Sequence, residues 1–215
     1  MPHAAFDNLP IRKKDRLIQQ AKAEFLSKAY ARVTMRSLVK RMNISTGSFY
    51  KYFRGKDDLF LYIYDGINKR LYDAGFFSED GMIRPRGHHF QNALPKDDWC
   101  ILNMFRILPE DTLRKYIFDT DTYGWRLEHH RQCLIELQDQ GLVRRDIDID
   151  IAVYMYRTTS YNLMLYIRSH NIQDIEEIRK INRSYCYNIF TKGILVDNTL
   201  EVDLEPTEHS DTEMA

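Results

Sequence analysis

Two short helical patterns separated by a tight turn, within residues 34–56, constrain the fold of this chain more than any other feature of its sequence. The first pattern places Leu38 and Met42 four residues apart. The second does the same with Phe49 and Phe53. Side chains four positions apart lie on the same face of an α-helix, so each short helix has one apolar side to bury. The sequence therefore predicts a pair of small helices that pack inward together.

The ends of these two helices carry residues that helix ends favour. Thr34 precedes the first helix and Ser45 precedes the second, and both hydroxyls suit the capping of free backbone N–H groups. Asn43 suits the turn between them, because asparagine tolerates the left-handed backbone conformation better than most residues. Lys56 marks the start of the next helix. Together these residues predict a helix-turn-helix over residues 34–53.

A longer helix is expected before this motif. Residues 11–28 place Ile18, Ala21 and Phe25 on one apolar face, and Pro10 suits the first turn of a helix. We expect this helix to brace the motif from behind. The three helices together form the predicted N-terminal unit.

The rest of the chain shows helical spacing and almost no alternating strand pattern, which predicts an all-α fold. A fourth helix is expected over 59–72, a loop or broken helix over 74–97, and further helices near 97–107, 109–119 and 122–140. Two long helices are expected to begin after Asp148 and at Asp174. We divide the chain into a three-helix unit with the helix-turn-helix (11–71), a helical bundle (72–196) and an acidic, disordered tail (197–215).

Charge is sorted along the chain, although the formal net charge is zero. Residues 1–56 carry 13 Lys or Arg against 3 Asp or Glu, residues 57–196 carry 18 against 21, and residues 197–215 carry 0 against 7. Lys and Arg displace the cations condensed on phosphate, so a basic segment of this kind is typical of nucleic-acid binding. Because it coincides with the helix-turn-helix, we expect the N-terminal unit to bind double-stranded DNA.

Several classes of function are disfavoured by the sequence. No run approaches the roughly 18 apolar residues of a membrane span, and the N-terminus lacks the apolar core of a secretory signal. We therefore expect a cytoplasmic protein without a membrane partner. Cys100, Cys133 and Cys186 are odd in number and form no CxxC pair, so we expect reduced, buried thiols, with a redox-sensing cysteine as the alternative.

Catalytic and metal-binding patterns are also missing from the sequence. His88–His89 and His129–His130 are adjacent pairs, and adjacent residues on a helix seldom chelate one ion. No nucleophile elbow, phosphate-binding loop or dinucleotide motif is visible. We therefore expect no metal site, no cofactor and no enzymatic activity.

The stretch from Phe6 to Phe60 resembles the N-terminal domain of TetR-type (tetracycline-repressor-like) transcriptional regulators. The matching positions are Ala21, Phe25, Tyr30, Thr34, Leu38, Ile44, Ser45, Gly47, Phe49, Tyr50, Tyr52, Phe53, Lys56 and Leu59. Asn43 departs from the pattern, because the family commonly has glycine in the turn. The resemblance covers about a quarter of the chain.

The resemblance assigns roles within the helix-turn-helix. It implies that Thr34, Tyr50 and Lys56 contact phosphates, and that the start of the recognition helix lies nearest the major groove. The groove-facing residues are Ser45, Thr46, Gly47 and Ser48. Lys51 and Tyr52 lie between the inward anchors Phe49 and Phe53 and are further candidates for contacts to the DNA backbone or base edges. Arg36 lies off the apolar face of the first helix and is left for solvent or phosphate.

The helical bundle is expected to dimerise and to hold a ligand. The resemblance implies a homodimer through the last two helices, which would place two recognition helices on a palindromic operator. Aromatic residues exceed what a small bundle needs, and we take Tyr72, Trp99, Phe105, Tyr123, Trp125 and Tyr161 as candidate ligand contacts, with ordinary core packing as the alternative for each. Nearby acids, namely Glu110, Asp119, Asp121 and Glu128, would admit a cationic guest.

These observations favour a homodimeric repressor that an unidentified small molecule releases from its operator. A corepressor-dependent protein, an activator or a DNA-organising protein are alternatives within the same class. The alternative from a different class is a helical small-molecule-binding protein or enzyme without a role in DNA regulation.

Overall fold

The structure is a computed structural model that describes residues 3–73, 94–185 and residue 193, with the side chains of a few helical residues left aside. Within these ranges the chain forms helices and no β-strand, which confirms the predicted all-α fold. None of the described helices is long and apolar enough to cross a membrane. The predicted tail at 197–215 and most of the predicted loop at 74–97 lie outside the described residues.

The N-terminal unit consists of short helices around one aromatic core. Its elements are α1 (Ala4–Asp7), α2 (Ile11–Leu26), a 3-10 turn (Tyr30–Arg32), α3 (Met35–Met42) and α4 (Thr46–Tyr52). Leu17 and Phe25 of α2, Leu38 of α3 and Phe49 of α4 are fully buried, as is Phe53 directly after α4. The predicted inward faces of all three helices are therefore confirmed.

The predicted helix ends are confirmed in detail. Thr34 caps α3 through a reciprocal pair of bonds, in which Ser37 N donates to Thr34 Oγ1 at 3.2 Å and Thr34 N donates to Ser37 Oγ at 3.1 Å. Asn43 adopts the left-handed conformation with φ of 53°. Ser45 Oγ accepts a bond from Ser48 N at 3.0 Å at the start of α4. Local hydrogen bonding thus determines where both helices begin.

Helix α1 is an element that the sequence patterns do not predict. Its Phe6 is fully buried, with its ring 4.8 Å from that of Phe53 and 5.5 Å from that of Tyr62. The backbone N–H of His3 donates to the carbonyl oxygen of Tyr52 at 2.8 Å. Residues ahead of the brace helix therefore close the aromatic core beneath α4.

Helix α5 (Lys56–Asp73) joins the N-terminal unit to the remaining helices, which we call the body. The body consists of α6 (Lys96–Met104), a 3-10 turn (Phe105–Ile107), α7 (Glu110–Phe118), α8 (Thr120–Tyr123), α9 (Trp125–Asp139), α10 (Ile149–Ser169) and α11 (Ile175–Arg183). Phe60, Ile63 and Ile67 of α5 are buried, and the core of the N-terminal unit continues through them into α6 and α7.

Two predicted boundaries in the body need correction. The single helix predicted over 122–140 is two helices, α8 and α9, because Asp119 caps an earlier start by accepting a bond from Thr122 N at 3.1 Å, and Gly124 separates the two. The loop predicted over 74–97 ends too late, because α6 already begins at Lys96 after Pro95. A proline directly before a helix suits this start, because the first N–H groups of a helix have no partner within it.

The N-terminal unit and the body meet at a buried carboxylate. Asp98 of α6 is 1% exposed and accepts hydrogen bonds from Lys22 of α2 and from Arg70 of α5, the latter at 2.6 Å. Lys22 is itself only 6% exposed. These three residues form the joint cluster, which connects the brace helix to both α5 and the body.

Candidate nucleic-acid interface and ligand cavity

The residues predicted to contact DNA lie on the surface formed by α3, α4 and the start of α5. We call this surface the reading face, and it comprises Thr34, Arg36, Ser45, Thr46, Gly47, Ser48, Tyr50, Lys51, Tyr52 and Lys56. Ser48, Tyr52 and Lys56 are half-buried and the other seven are exposed. Folding therefore leaves most of the predicted contact residues accessible to a partner.

The start of α4 presents small side chains to the outside. Thr46 and Gly47 are exposed, and a Cβ atom built on Gly47 would have no atom within 4 Å. The Ser45 hydroxyl caps α4 and also donates to Ser48 Oγ at 2.9 Å, so these two serines hold each other in place. Backbone with so little covering it can approach another molecule closely.

The aromatic residues of α4 divide between contact and packing. Tyr50 is 50% exposed, although its ring also meets the ring of Phe49 edge-on at 5.7 Å. Tyr52 is half-buried against the ring of Phe6, at the same centroid distance of 5.7 Å. Tyr50 is thus the more accessible of the two for a phosphate contact, and part of Tyr52 belongs to the core.

Lys56 has a structural task in addition to its predicted DNA contact. Its Nζ donates to the carbonyl oxygens of Tyr30 at 3.1 Å and Val33 at 3.0 Å, and it lies 4.5 Å from the centroid of the Tyr30 ring. These contacts hold the segment before Thr34 against the start of α5. An ammonium group has three donors, so one N–H remains for a further acceptor.

The adjacent Asp57 connects this region to the body. It accepts a bond from the Tyr30 hydroxyl and another from Thr112 Oγ1 of α7 at 3.1 Å. Burial, and then the neighbouring Asp57 carboxylate, raise the pKa of the Tyr30 hydroxyl well above its ordinary value. A tyrosine hydroxyl is protonated at physiological pH even with its ordinary pKa of 10, and the raised pKa of Tyr30 keeps it a donor to Asp57 at more alkaline pH as well.

The aromatic residues predicted to bind a ligand do not gather around one cavity. Trp125 Nε1 donates to Asp65 at 3.1 Å, and the Tyr161 hydroxyl donates to Glu110 at 3.0 Å. Tyr123 is buried and its hydroxyl has no hydrogen-bond partner within the described ranges, and Phe105 stacks on Tyr64. Trp99 is half-buried, and the side chain of Tyr72 lies outside the described residues.

A cavity of about 270 Å³ lies between the 3-10 turn at Phe105–Ile107, α7, α9, α10 and α11. Among the five aromatic candidates whose side chains the structure describes, only Phe105 lines it. The other walls include Ile117, Leu127, Met164, Ile167 and Ile178, together with the basic groups Arg106, Arg126 and Arg157 and the imidazole of His130. The cavity therefore combines apolar walls with guanidinium groups.

The arginines of this cavity were not predicted from the sequence, although one signal was present. Arg157 lies within α10, the most apolar of the long helices that the structure describes, between Tyr156 and a run that leads to Tyr161. A charged residue in such a helix either extends to solvent or interacts with a polar or charged group in the interior. Arg126 gave no comparable signal, because a charged residue in a polar stretch of helix usually faces solvent.

His130 is expected to make the protein less stable in acid. It is 6% exposed, and burial, followed by the charges of Arg126 and His129, lowers the pKa of His130 to about 3, from an ordinary value of 6.5. Between these two pKa values His130 is protonated in the unfolded chain and neutral in the folded chain. The contribution of neutral His130 to the free energy of unfolding is therefore complete above pH 6.5 and is lost as the pH falls towards 3. Each pH unit within this window costs about 1.4 kcal/mol of unfolding free energy.

Urea unfolding of wild type and His130→Gln between pH 7 and pH 4.5 measures this effect. The variant should show the flatter pH dependence, whereas His170→Gln, at an exposed position, should follow the wild type. Equal slopes for wild type and His130→Gln would contradict the assignment.

Comparison with known proteins identifies the N-terminal unit. Residues 17–63 match the family model described as bacterial regulatory proteins, tetR family. The match contains the whole helix-turn-helix and the greater part of α2 and the start of α5. No curated protein matches the chain in sequence.

Solved structures resemble the chain over most of its length. The chain is similar to SmeT, the repressor of the Stenotrophomonas maltophilia multidrug efflux pump SmeDEF, with a TM-score of 0.54 and 15% identity over 86% of this chain and 91% of that one. It is also similar to a putative TetR-family transcriptional regulator from Mesorhizobium loti, with a TM-score of 0.48 and 19% identity over 86% and 98% of the two chains.

Family model, helix-turn-helix geometry and overall architecture therefore agree, and the resemblance in the sequence is confirmed. In the described residues the body is also helical, as the fold requires. Residues 17–63 are therefore similar to the bacterial regulatory proteins of the tetR family, and the chain as a whole has an all-helical fold similar to that of SmeT.

Proposed function

We propose that the protein is a homodimeric repressor that binds a palindromic operator through its reading face and leaves the DNA when a small molecule occupies the body. The observation that carries the proposal is the exposed start of α4, where Thr46 and Gly47 are uncovered and are flanked by Tyr50 and Lys51. Thr46 and Gly47 approach base edges, while Thr34, Tyr50 and Lys56 hold phosphates and set the orientation. A basic N-terminal segment adds the attraction to DNA.

An exposed apolar stripe on α10 supports the dimer. Ile151, Tyr154, Met155 and Tyr166 are between 48% and 61% exposed, and their spacing places them on one side of the helix. We infer that a second copy of this chain covers this stripe. Two-fold symmetry would then place two recognition helices, one from each copy, on two half-sites of the DNA. The proposed interface comprises α10 and α11.

A chain of contacts between the cavity and α5 supports release by a ligand. Arg126 Nη2 donates to the carbonyl oxygen of Tyr116 at 3.2 Å, and its guanidinium carbon lies 4.0 Å from the centroid of the Tyr116 ring. The Tyr116 hydroxyl donates to Asp65 of α5 at 3.0 Å. A ligand that draws Arg126 away would alter how α7 holds α5, and α5 leads directly to the reading face. Release requires that the ligand prefer the conformation that does not bind DNA.

A mobility shift with duplex DNA from upstream of the protein's own coding sequence tests the proposal. We expect a complex at low salt, and footprinting should show two half-sites whose centres are about 34–36 Å apart or a related spacing. Sedimentation should show a dimer. Failure to bind this DNA or any selected duplex at low salt would instead favour a small-molecule-binding protein or enzyme without a role in DNA regulation.

Lys56→Ala and Thr46→Ala are expected to weaken DNA binding in different ways. Lys56→Ala removes a phosphate contact, so affinity should fall alike for all duplexes and the slope of log K against log salt should fall by about one unit per protomer. Thr46→Ala should instead change the preferred operator sequence and leave the salt slope unaltered. Titrations against operator and unrelated duplexes at several salt concentrations measure both effects.

Lys56→Ala also removes two bonds to backbone carbonyls, so its unfolding free energy has to be measured beside its affinity. A salt slope equal to that of wild type would contradict the phosphate contact, even if the variant binds more weakly.

A further inference from the structure

We propose that the cavity between α7, α9, α10 and α11 binds a small organic anion that has an apolar body, such as an aryl or alkyl carboxylate. The inference rests on the proposed function in that it names the chemical class of the effector. The inference depends on three features of the cavity walls: their positive charge, their arginine donors that lack hydrogen-bond partners among the described residues, and their apolar side chains.

The charge of the cavity walls is positive. Arg106, Arg126 and Arg157 line the cavity, and none of its described lining residues is Asp or Glu. The acids that were predicted to attract a cationic ligand do not line this cavity. Glu110 accepts a hydrogen bond from the Tyr161 hydroxyl, and Glu128 is exposed. A cation would therefore enter against three guanidinium groups, whereas an anion would be attracted by them.

Two of these guanidinium groups have buried donors without partners. The Nε atoms of Arg126 and Arg157 are shielded from solvent, and neither has a hydrogen-bond partner among the described residues. The guanidinium carbon of Arg157 lies 5.3 Å from the ring centroids of Phe118 and Tyr154, which orient the group without neutralising its charge. An unsatisfied buried charged donor is costly, so a ligand that accepts its hydrogen bond gains affinity from relieving that cost.

The remaining walls determine the body of the ligand. Leu127, Met164, Ile167 and Ile178 are apolar, so inorganic anions would leave this surface uncovered. The Ser160 hydroxyl already donates to the carbonyl oxygen of Tyr156 at 2.7 Å, so its proton is not available to a ligand. The volume of about 270 Å³ lies at the lower edge of the roughly 300–1,000 Å³ range of small-molecule sites, so the occupant is small.

Calorimetric titration of the full-length protein, without DNA, tests the proposal with matched probes. The probes are ω-phenyl carboxylates with one to five methylene groups, including 4-phenylbutyrate, together with the corresponding neutral amides and cationic amines. We expect the best carboxylate to bind at least about tenfold more tightly than its amide, because a hydrogen bond to a charged group outweighs a neutral one by that amount or more. The amine should bind most weakly.

Variants assign the preference to the cavity. Arg157→Gln and Arg106→Gln should each reduce the preference for carboxylate over amide at least about tenfold or abolish it. Arg131→Gln is the matched control, because Arg131 lies on the same helix as Arg126 but pairs with Asp150 at 2.7 Å outside the cavity. Circular dichroism verifies that each variant keeps its helical content.

The outcomes separate this proposal from the proposed function. The inference would be overturned if no carboxylate of the panel binds more tightly than its amide, or if the amines bind most tightly. It would also be overturned if both Arg157→Gln and Arg106→Gln keep the wild-type preference for carboxylate over amide. Operator binding is measured separately on protein without a probe. If the protein prefers carboxylates but fails to bind DNA, the anion site is supported and the proposed repressor function is contradicted.

Discussion

Replacement of Asp98 by alanine is expected to lower the free energy of unfolding by about 3–5 kcal/mol, because it leaves a lysine charge buried without its partner. Asp98 is 1% exposed and Lys22 is 6% exposed, so water reaches neither group well enough to replace the lost contact. Arg70, which also donates to Asp98, lies nearer the surface and can turn to solvent. Urea unfolding followed by circular dichroism measures the change.

Two further variants show that the effect comes from the buried charge. Asp97→Ala removes an exposed neighbouring carboxylate and should change stability by no more than about 0.5 kcal/mol. The double variant Lys22→Met/Asp98→Leu should recover most of the loss, because apolar side chains of similar size often replace a buried ion pair at little cost. A loss below about 1 kcal/mol in Asp98→Ala would mean that Lys22 escapes to solvent.

Replacement of Gly47 by leucine is expected to weaken operator binding at least about tenfold while leaving the folded protein as stable as wild type. A Cβ at this position meets no atom within 4 Å, so the fold has room for the larger side chain. Leucine also favours a helix over glycine by up to about 0.8–1 kcal/mol. On DNA, the same side chain would hold the start of α4 away from the base edges. Affinity for operator should fall at least about tenfold, since one good base contact contributes about 1–3 kcal/mol.

Gly66→Leu is the matched control for this prediction. Gly66 is also exposed and also has no atom within 4 Å of a built Cβ, but it lies on α5 away from the reading face. Its operator affinity should equal that of wild type. Thermal unfolding and mobility shift on both variants separate loss of binding from loss of fold. Undiminished binding by Gly47→Leu would place the start of α4 outside the DNA interface.

The N-terminal unit was predictable because its signals are local. The helix predicted to follow Thr34 runs from Met35 to Met42 in the structure, and Asn43 has the left-handed backbone that its place in the turn required. Thr34 and Ser45 cap their helices through bonds to residues three positions later. Interactions of such short range depend on neighbouring residues alone, so a sequence reveals them without knowledge of the tertiary fold.

The cavity was not predictable in the same way. Aromatic content correctly indicated a large aromatic core, but it could not indicate which rings face a cavity. Trp125 and Tyr161 instead hydrogen-bond carboxylates on other helices, at Asp65 and Glu110. Their roles as ligand contacts stay predictions, and of the five candidates with described side chains only Phe105 reaches the cavity. Facing direction depends on how helices from distant parts of the chain pack together.

The sequence by itself determined the all-helical class, the helix-turn-helix and the surface residues that it presents, since helical periodicity and capping are properties of adjacent turns. Only the tertiary structure decided the partners of the charged residues. Lys22 and Asp98 meet across 76 positions, and Arg126 and Arg157 come together from separate helices around one cavity. The sequence does not show whether a charged side chain lies in solvent or in the core, because the elements that pack over it determine its environment.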